Sequence, residues 1–277
     1  MRMDTRKIVI TGASDGIGAA AARRLASSGH DVVLVGRSPA KTIAIAHELD
    51  APSYVCDFAE LAQVRELATK LRTDHADLDV LINNAGGIFG ARQETADGHE
   101  LTLQVNHLAP FLLTNLLLDL LRANEATVLN TSSVANRLFG NLDLDDLGNA
   151  TDYTARAAYG DAKLANILFT RELHRREHAN GIATAALHPG NVATNFASET
   201  NSLMRFIYHT PLRRLLLVST ERGSDNTVWL AEGAPGVDWI SGSYYDGRSI
   251  GRVHPQADDA HLAEELWLRS AELVGVR

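Results

Sequence analysis

The sequence predicts an α/β protein: a doubly wound parallel sheet flanked by helices on both faces. Three observations point there. Short apolar runs alternate along the chain with longer helical patterns. The first apolar run lacks polar alternation, as a strand buried on both faces does. It ends in a glycine-rich turn that opens an alanine-rich helix. Right-handed crossovers between such strands wind the sheet in both directions.

The elements follow in order. Lys7 to Ile10 is the first strand, and Ile17 to Ser27 a helix that Gly29 ends. Asp31 to Val35 is the second strand, Pro39 to Leu49 a helix and Ser53 to Cys56 the third strand. Leu61 to Arg72 is helical and Val80 to Ile82 marks a fourth strand. Helical patterns cover about Gly98 to Arg122, and Thr127 to Thr131 is the fifth strand. A long helix spans Tyr153 to Asn180, then Ile182 to Leu187 gives a sixth strand. Residues Asn195 to Ser219 form an irregular, apolar-rich stretch, and a helix is expected near Arg222 to Glu232.

Composition narrows the function. With 277 residues, 45% apolar and 22% charged, there is ample core material and no repeat or linker to divide the chain, so one domain is expected. A net charge of −8 argues against a nucleic-acid surface, which needs a basic stripe. A lone cysteine, Cys56, forms no internal disulfide and suits a reducing cytosol. Met1 to Lys7 lacks the apolar segment of a signal peptide. Pro110 to Leu121 is interrupted by Thr114, Asn115 and Asp119 and is shorter than the roughly 20 residues of a membrane span, so it reads as a buried helix.

Two constellations carry chemistry. Gly12, Gly16 and Gly18 lie between a strand and a helix, where a backbone without side chains can approach a pyrophosphate at a helix N-terminus. A tight turn with no ligand would look the same, and only its strand–turn–helix context favours a dinucleotide. The spacing is Gly-x-x-x-Gly-x-Gly. The second strand ends Val35–Gly36–Arg37–Ser38, with an arginine where an NAD-binding chain carries an acid. A guanidinium pairs with a 2′-phosphate, which favours NADP(H), although Asp15 inside the loop brings opposing charge.

The second is Tyr159 and Lys163, four residues apart and therefore on one helix face. A tyrosine of ordinary pKa near 10 is a poor base, and a neighbouring ammonium makes its phenolate accessible. Tyr159 could then take a proton from an alcohol or give one to a carbonyl. By itself this spacing is common in amphipathic helices. Ser132 and Ser133 follow the fifth strand, at the carboxyl end where parallel sheets bind ligands. Asn106 falls on a helix passing behind them. His174 and His178 have zinc-like spacing but no third ligand, and Ser133 lacks the glycine elbow of a hydrolase nucleophile.

Taken in order, these motifs resemble the short-chain dehydrogenase/reductase family over essentially the whole length. They are Thr11–Gly12-x-x-x-Gly16–Ile17–Gly18, Asp57, Asn83–Asn84–Ala85–Gly86, Asn106, Ser133, Tyr159-x-x-x-Lys163, and His188–Pro189–Gly190 with Thr194. The resemblance implies a Rossmann-type fold with Ser133 orienting the substrate oxygen and Tyr159 as general acid/base. Lys163 would lower the pKa of Tyr159 and bind ribose, and Asn106 would hold a relay water. The cofactor would lie on Gly12, Ser14, Asp15, Gly16, Ile17 and Gly18, with Asp57 and Phe58 near the adenine and Arg37 at the ribose phosphate. Asn84, Ala85 and Gly86 would line the adenosine side. Pro189, Gly190, Val192 and Thr194 would sit at the carboxamide end.

The runs Val105–Asn106–His107–Leu108–Ala109–Pro110–Phe111 and Lys163–Leu164–Ala165–Asn166 look like the retinol dehydrogenase and WW-domain oxidoreductase branch, as do Ser241 to Tyr245 and Leu266–Trp267. That likeness implies lipophilic carbonyls or alcohols. The expected arrangement is a cofactor half over about residues 1–135, a catalytic and substrate half over about 136–277, and a substrate lid at about 195–219. The expected protein is a cytoplasmic homodimer or homotetramer, without bound metal, that uses NADP(H) on a hydrophobic carbonyl. An NAD(H)-dependent alcohol dehydrogenase and a catalytically weak cofactor-binding sensor are the alternatives.

Overall fold

The structure, a computed structural model, describes residues 5–190 and 220–276. Its strands are β1 (Lys7–Thr11), β2 (Asp31–Gly36), β3 (Ser53–Val55), β4 (Val80–Asn83), β5 (Thr127–Thr131), β6 (Ala183–His188), β7 (Ser243–Asp246) and β8 (Ser249–Ile250). They form one sheet in the order β3-β2-β1-β4-β5-β6-β7-β8. Pairing is parallel from β3 through β7, and only β8 turns back antiparallel. The order reverses between β1 and β4, which opens a crevice at their carboxyl ends.

Both sheet faces are apolar because successive strand residues point to opposite sides. Ile8, Ile10, Val32, Leu34, Val80, Ile82 and Leu129 face one core. Val9, Val33, Val35, Leu81 and Val128 face the other. Helices α1 (Gly16–Ser27) and α2 (Pro39–Leu49) cover the first face, joined by α9 (Thr220–Gly223) and α10 (Asp225–Glu232) late in the chain. Helix α3 (Leu61–Asp74), the segment from α4 (Leu101–Leu103) through α5 (Ala109–Leu116) and α6 (Leu118–Ala123), and the long α8 (Ala155–Glu177) cover the second. Helix α11 (Ala260–Val274) closes that layer by burying Leu266 and packing Trp267 beside Phe111 and Phe169. This is an α/β Rossmann-type fold.

Three expectations are corrected in detail. The helical stretch predicted over 98–122 breaks into α4, a wide π turn over Gln104–Leu108, α5 and α6. Pro110 has no N–H to donate to the carbonyl of Asn106 four residues back, so the regular ladder fails there. The long helix starts at Ala155 rather than Tyr153, because the Thr154 hydroxyl accepts from the Ala157 N–H and caps it. The same helix ends at Glu177, and His178–Asn180 is a 3₁₀ turn stopped by Gly181 at φ 92°. The short α7 (Ala135–Leu138), β7, β8 and α11 were not among the predicted elements.

Candidate active site

The crevice floor is built by glycines. Gly12 adopts φ 67°, and a side chain there would meet the Ala85 Cα at 2.8 Å. A Cβ on Gly18 would come within 2.3 Å of the Gly12 carbonyl oxygen. Both positions therefore bring bare backbone together where α1 begins, and its first turn leaves the N–H groups of Ile17 and Gly18 without intrahelical acceptors. Thr11 braces the turn: its hydroxyl donates to the Ile82 carbonyl and accepts from the N–H groups of Asn84 and Ala85. The Asn84 amide donates to the Thr11 carbonyl at 2.9 Å. Asn84 thus holds β1 to β4 and shapes the cradle, a bracing role that sequence spacing did not show.

One ion pair stands beside this cradle. Asp15 caps α1 by accepting from the Gly16 N–H at 2.7 Å, and its other oxygen meets Lys41 Nζ at 2.6 Å. The opposing charge of Asp15 is therefore balanced by a lysine on α2 that sequence reading missed. Gly36 lets this corner close, since a Cβ there would strike Thr42 Oγ1 at 2.3 Å and Ser14 Cβ at 2.7 Å. Arg37 is exposed at the end of β2, and its guanidinium has no ion-pair partner among the described residues. Further along the edge, Asp57 accepts from the Ala59 N–H and shapes its own turn. Phe58 is 4% exposed and belongs to the core, and its carbonyl accepts from the Gln104 side-chain amide at 3.3 Å. Pro189 and Gly190 follow β6 half-buried, while Val192, Thr194 and the 195–219 stretch lie outside the described residues.

The catalytic candidates converge on α8. Lys163 is 2% exposed and lies with its Nζ 5.4 Å from the centroid of the Tyr159 ring. Burial alone pushes its pKa from 10.5 down to about 7, and the Nζ donates to the Thr131 carbonyl at 3.1 Å. Across from it, a methyl on Gly86 would come within 2.4 Å of Asn106 Oδ1 and 3.3 Å of Lys163 Nζ. Asn106, Gly86 and Lys163 are therefore neighbours around one backbone gap. The two serines divide: Ser132 is buried and its hydroxyl donates to the Lys163 carbonyl, whereas Ser133 is only half-buried. Ser133 Oγ accepts from the Ala135 N–H at 3.2 Å.

A model of the family described as short chain dehydrogenase matches residues 6–204. The chain belongs to the short-chain dehydrogenase family. It is 42% identical to a Streptomyces protein designated a daunorubicin C-13 ketoreductase, across 98% of this chain and 93% of that one. It is 37% identical to human retinol dehydrogenase 13, across 98% of this chain and 85% of that one. Among solved structures, an uncharacterised protein from Mycobacterium paratuberculosis superposes with a TM-score of 0.78 at 33% identity, covering 98% and 94% of the two chains. Pseudomonas aeruginosa RhlG in an NADP complex superposes with a TM-score of 0.70 at 25% identity, covering 88% and 95%. This short-chain dehydrogenase is thus an oxidoreductase of alcohols or carbonyls that works with a nicotinamide cofactor, in the retinol dehydrogenase-like branch. Among the described residues no helix is long and apolar enough to cross a membrane, and no group of three metal-capable side chains assembles. The His174 and His178 rings stack at 4.4 Å, and His174 Nδ1 shares a hydrogen bond with Ser241.

Proposed function

We propose that this enzyme interconverts a hydrophobic ketone or aldehyde and its alcohol with NADP(H), Tyr159 acting as the general acid/base. The observation that carries the reading is the buried Lys163 ammonium group beside the Tyr159 ring, facing Gly86 and Asn106. The residues present fit a dinucleotide, because Gly12 and Gly18 let bare backbone close up at the crevice beside the first turn of α1, where N–H groups remain free for a pyrophosphate. When bound, the nicotinamide supplies or accepts the hydride. Lys163 biases the Tyr159 proton toward release, Tyr159 delivers or removes the proton at the substrate oxygen, and Ser133 holds that oxygen. Residues to about 135 then serve the cofactor and the remainder serve substrate.

NADP(H) is favoured by charge. Arg37 offers a guanidinium with no ion-pair partner among the described residues, and Lys41 offsets the charge of Asp15 beside it. A hydrophobic substrate is favoured by Leu138 and Phe139, which follow Ser133 in the chain with 58% and 44% of their surfaces exposed. The names of the relatives, a ketoreductase and retinol dehydrogenases, are consistent with substrates of this class. The test is titration with NADPH and NADH by nicotinamide fluorescence, followed by a panel of aromatic and alicyclic ketones. NADPH binding without consumption on any of them would favour the binding-only alternative. Arg37→Asp is expected to reduce the NADPH-over-NADH affinity ratio by about 10–100-fold, the worth of a charge-assisted hydrogen bond. An unchanged ratio would remove Arg37 from the phosphate site.

A further inference from the structure

We propose that Asn166, braced by His107 and Ser270, is a positioning residue that ties the Asn106 carbonyl to the Thr131 carbonyl on which the Lys163 side chain is anchored. The proposal rests on the catalytic reading of Tyr159 and Lys163 given above. It unites two sequence runs, the one around His107 and the one from Lys163 to Asn166, that lie far apart in the chain and meet in the core.

Pro110 leaves the Asn106 carbonyl without its usual helical donor. Asn166 Nδ2 supplies one at 3.0 Å, and its second N–H reaches the Thr131 carbonyl at 3.1 Å. That Thr131 oxygen is also the acceptor of Lys163 Nζ. One amide therefore ties the π turn to the end of β5 at the point where the lysine is anchored. The Asn106 side chain is fixed on the same turn: its amide donates to the Gly87 and Thr102 carbonyls, and its oxygen accepts from the Gly87 N–H.

Because both N–H groups of Asn166 face carbonyls, its Oδ1 must accept. The donor is His107 Nδ1 at 3.3 Å, which makes Nε2 the acceptor of the Ser270 hydroxyl at 2.9 Å. His107 and Ser270 are 1% and 0% exposed, so water cannot substitute for either bond. This array holds rather than conducts. An amide cannot pass a proton along, and burial keeps His107 neutral with its pKa lowered to about 4. Ser270 lies on α11, so the C-terminal helix reaches the active site through this chain of bonds.

The test uses the full-length enzyme, with the panel ketone that it reduces fastest. Asn166→Leu is expected to lower kcat about 10–100-fold, the effect of one or two buried hydrogen bonds lost, and Ser270→Ala about 3–10-fold. NADPH affinity, read by nicotinamide fluorescence, should stay within about 3-fold of wild type in both. In ¹⁵N-histidine spectra His107 should be a neutral imidazole protonated at Nδ1, and Ser270→Ala should perturb that signature. Folded variants with wild-type kcat and only a lowered Tm would overturn the proposal, as would an Nε2-protonated His107 in the wild type. Should Asn166→Leu not fold, Ser270→Ala, which removes a single hydroxyl, decides alone. Tyr159→Phe in the same assay separates the failures: its full activity would overturn the catalytic reading itself, whereas an inactive Tyr159→Phe beside normal Ser270→Ala would overturn only the positioning role.

Discussion

Tyr159→Phe is expected to lower turnover by about 10²–10⁴-fold, the usual worth of a positioned general acid/base, while leaving the fold and NADPH binding close to wild type. The phenylalanine keeps the ring that lies 5.4 Å from Lys163 Nζ, so the cation–ring contact survives. Tyr159 is 7% exposed, and the substitution changes no volume beyond one oxygen. What disappears is the group able to exchange a proton with the substrate oxygen. Steady-state kcat, fluorescence titration with NADPH and the thermal midpoint together check it. Turnover near wild type would show that the proton comes from elsewhere, and the half-buried Ser133 would be the next residue to replace.

Periodicity made the central architecture legible. The strand runs around Val9, Val33, Leu81 and Val128 are apolar on both faces because helices cover both, and their shortness and flanking turns mark them as strands. The Gly12 turn was legible for a related reason, since its positive φ is a local backbone requirement, and the i, i+4 spacing of Tyr159 and Lys163 placed both on one face of α8. What stayed hidden depends on contacts between distant segments. No local signal shows that Asn84 braces Thr11, or that Lys41 answers Asp15, because neither pairing has a fixed sequence interval. The π turn was invisible for the same reason, although Pro110 hinted at a defect: whether the freed Asn106 carbonyl finds a donor depends on Asn166, sixty residues away. Strand β7 is short and glycine-flanked, and its identity as a strand comes from pairing with β6.

Lys163→Met is expected to separate catalysis from stability in opposite directions. Methionine fills the space of the lysine stem, so the core around α8 is kept. Turnover should fall by about 10²-fold or more, because Tyr159 loses the charge that makes its proton mobile at neutral pH. Stability should move the other way. The native pKa of Lys163 lies near 7 against 10.5 for a lysine in water, and burial is the cause. Between those values the unfolded chain holds the proton and the native chain does not, so wild-type stability rises as pH increases through that window. Below about 7 both states are protonated, and the folded protein bears the full cost of an ammonium group with one carbonyl acceptor. Lys163→Met removes that cost. It should be more stable than wild type at pH 6, with the difference shrinking toward pH 10, as measured by denaturant unfolding across the range. A variant that loses turnover but gains acid stability identifies Lys163 as a charge buried for chemistry. One that loses stability at pH 6 would mean that the ammonium is well solvated in the free protein, and that its hold on Tyr159 is correspondingly weak.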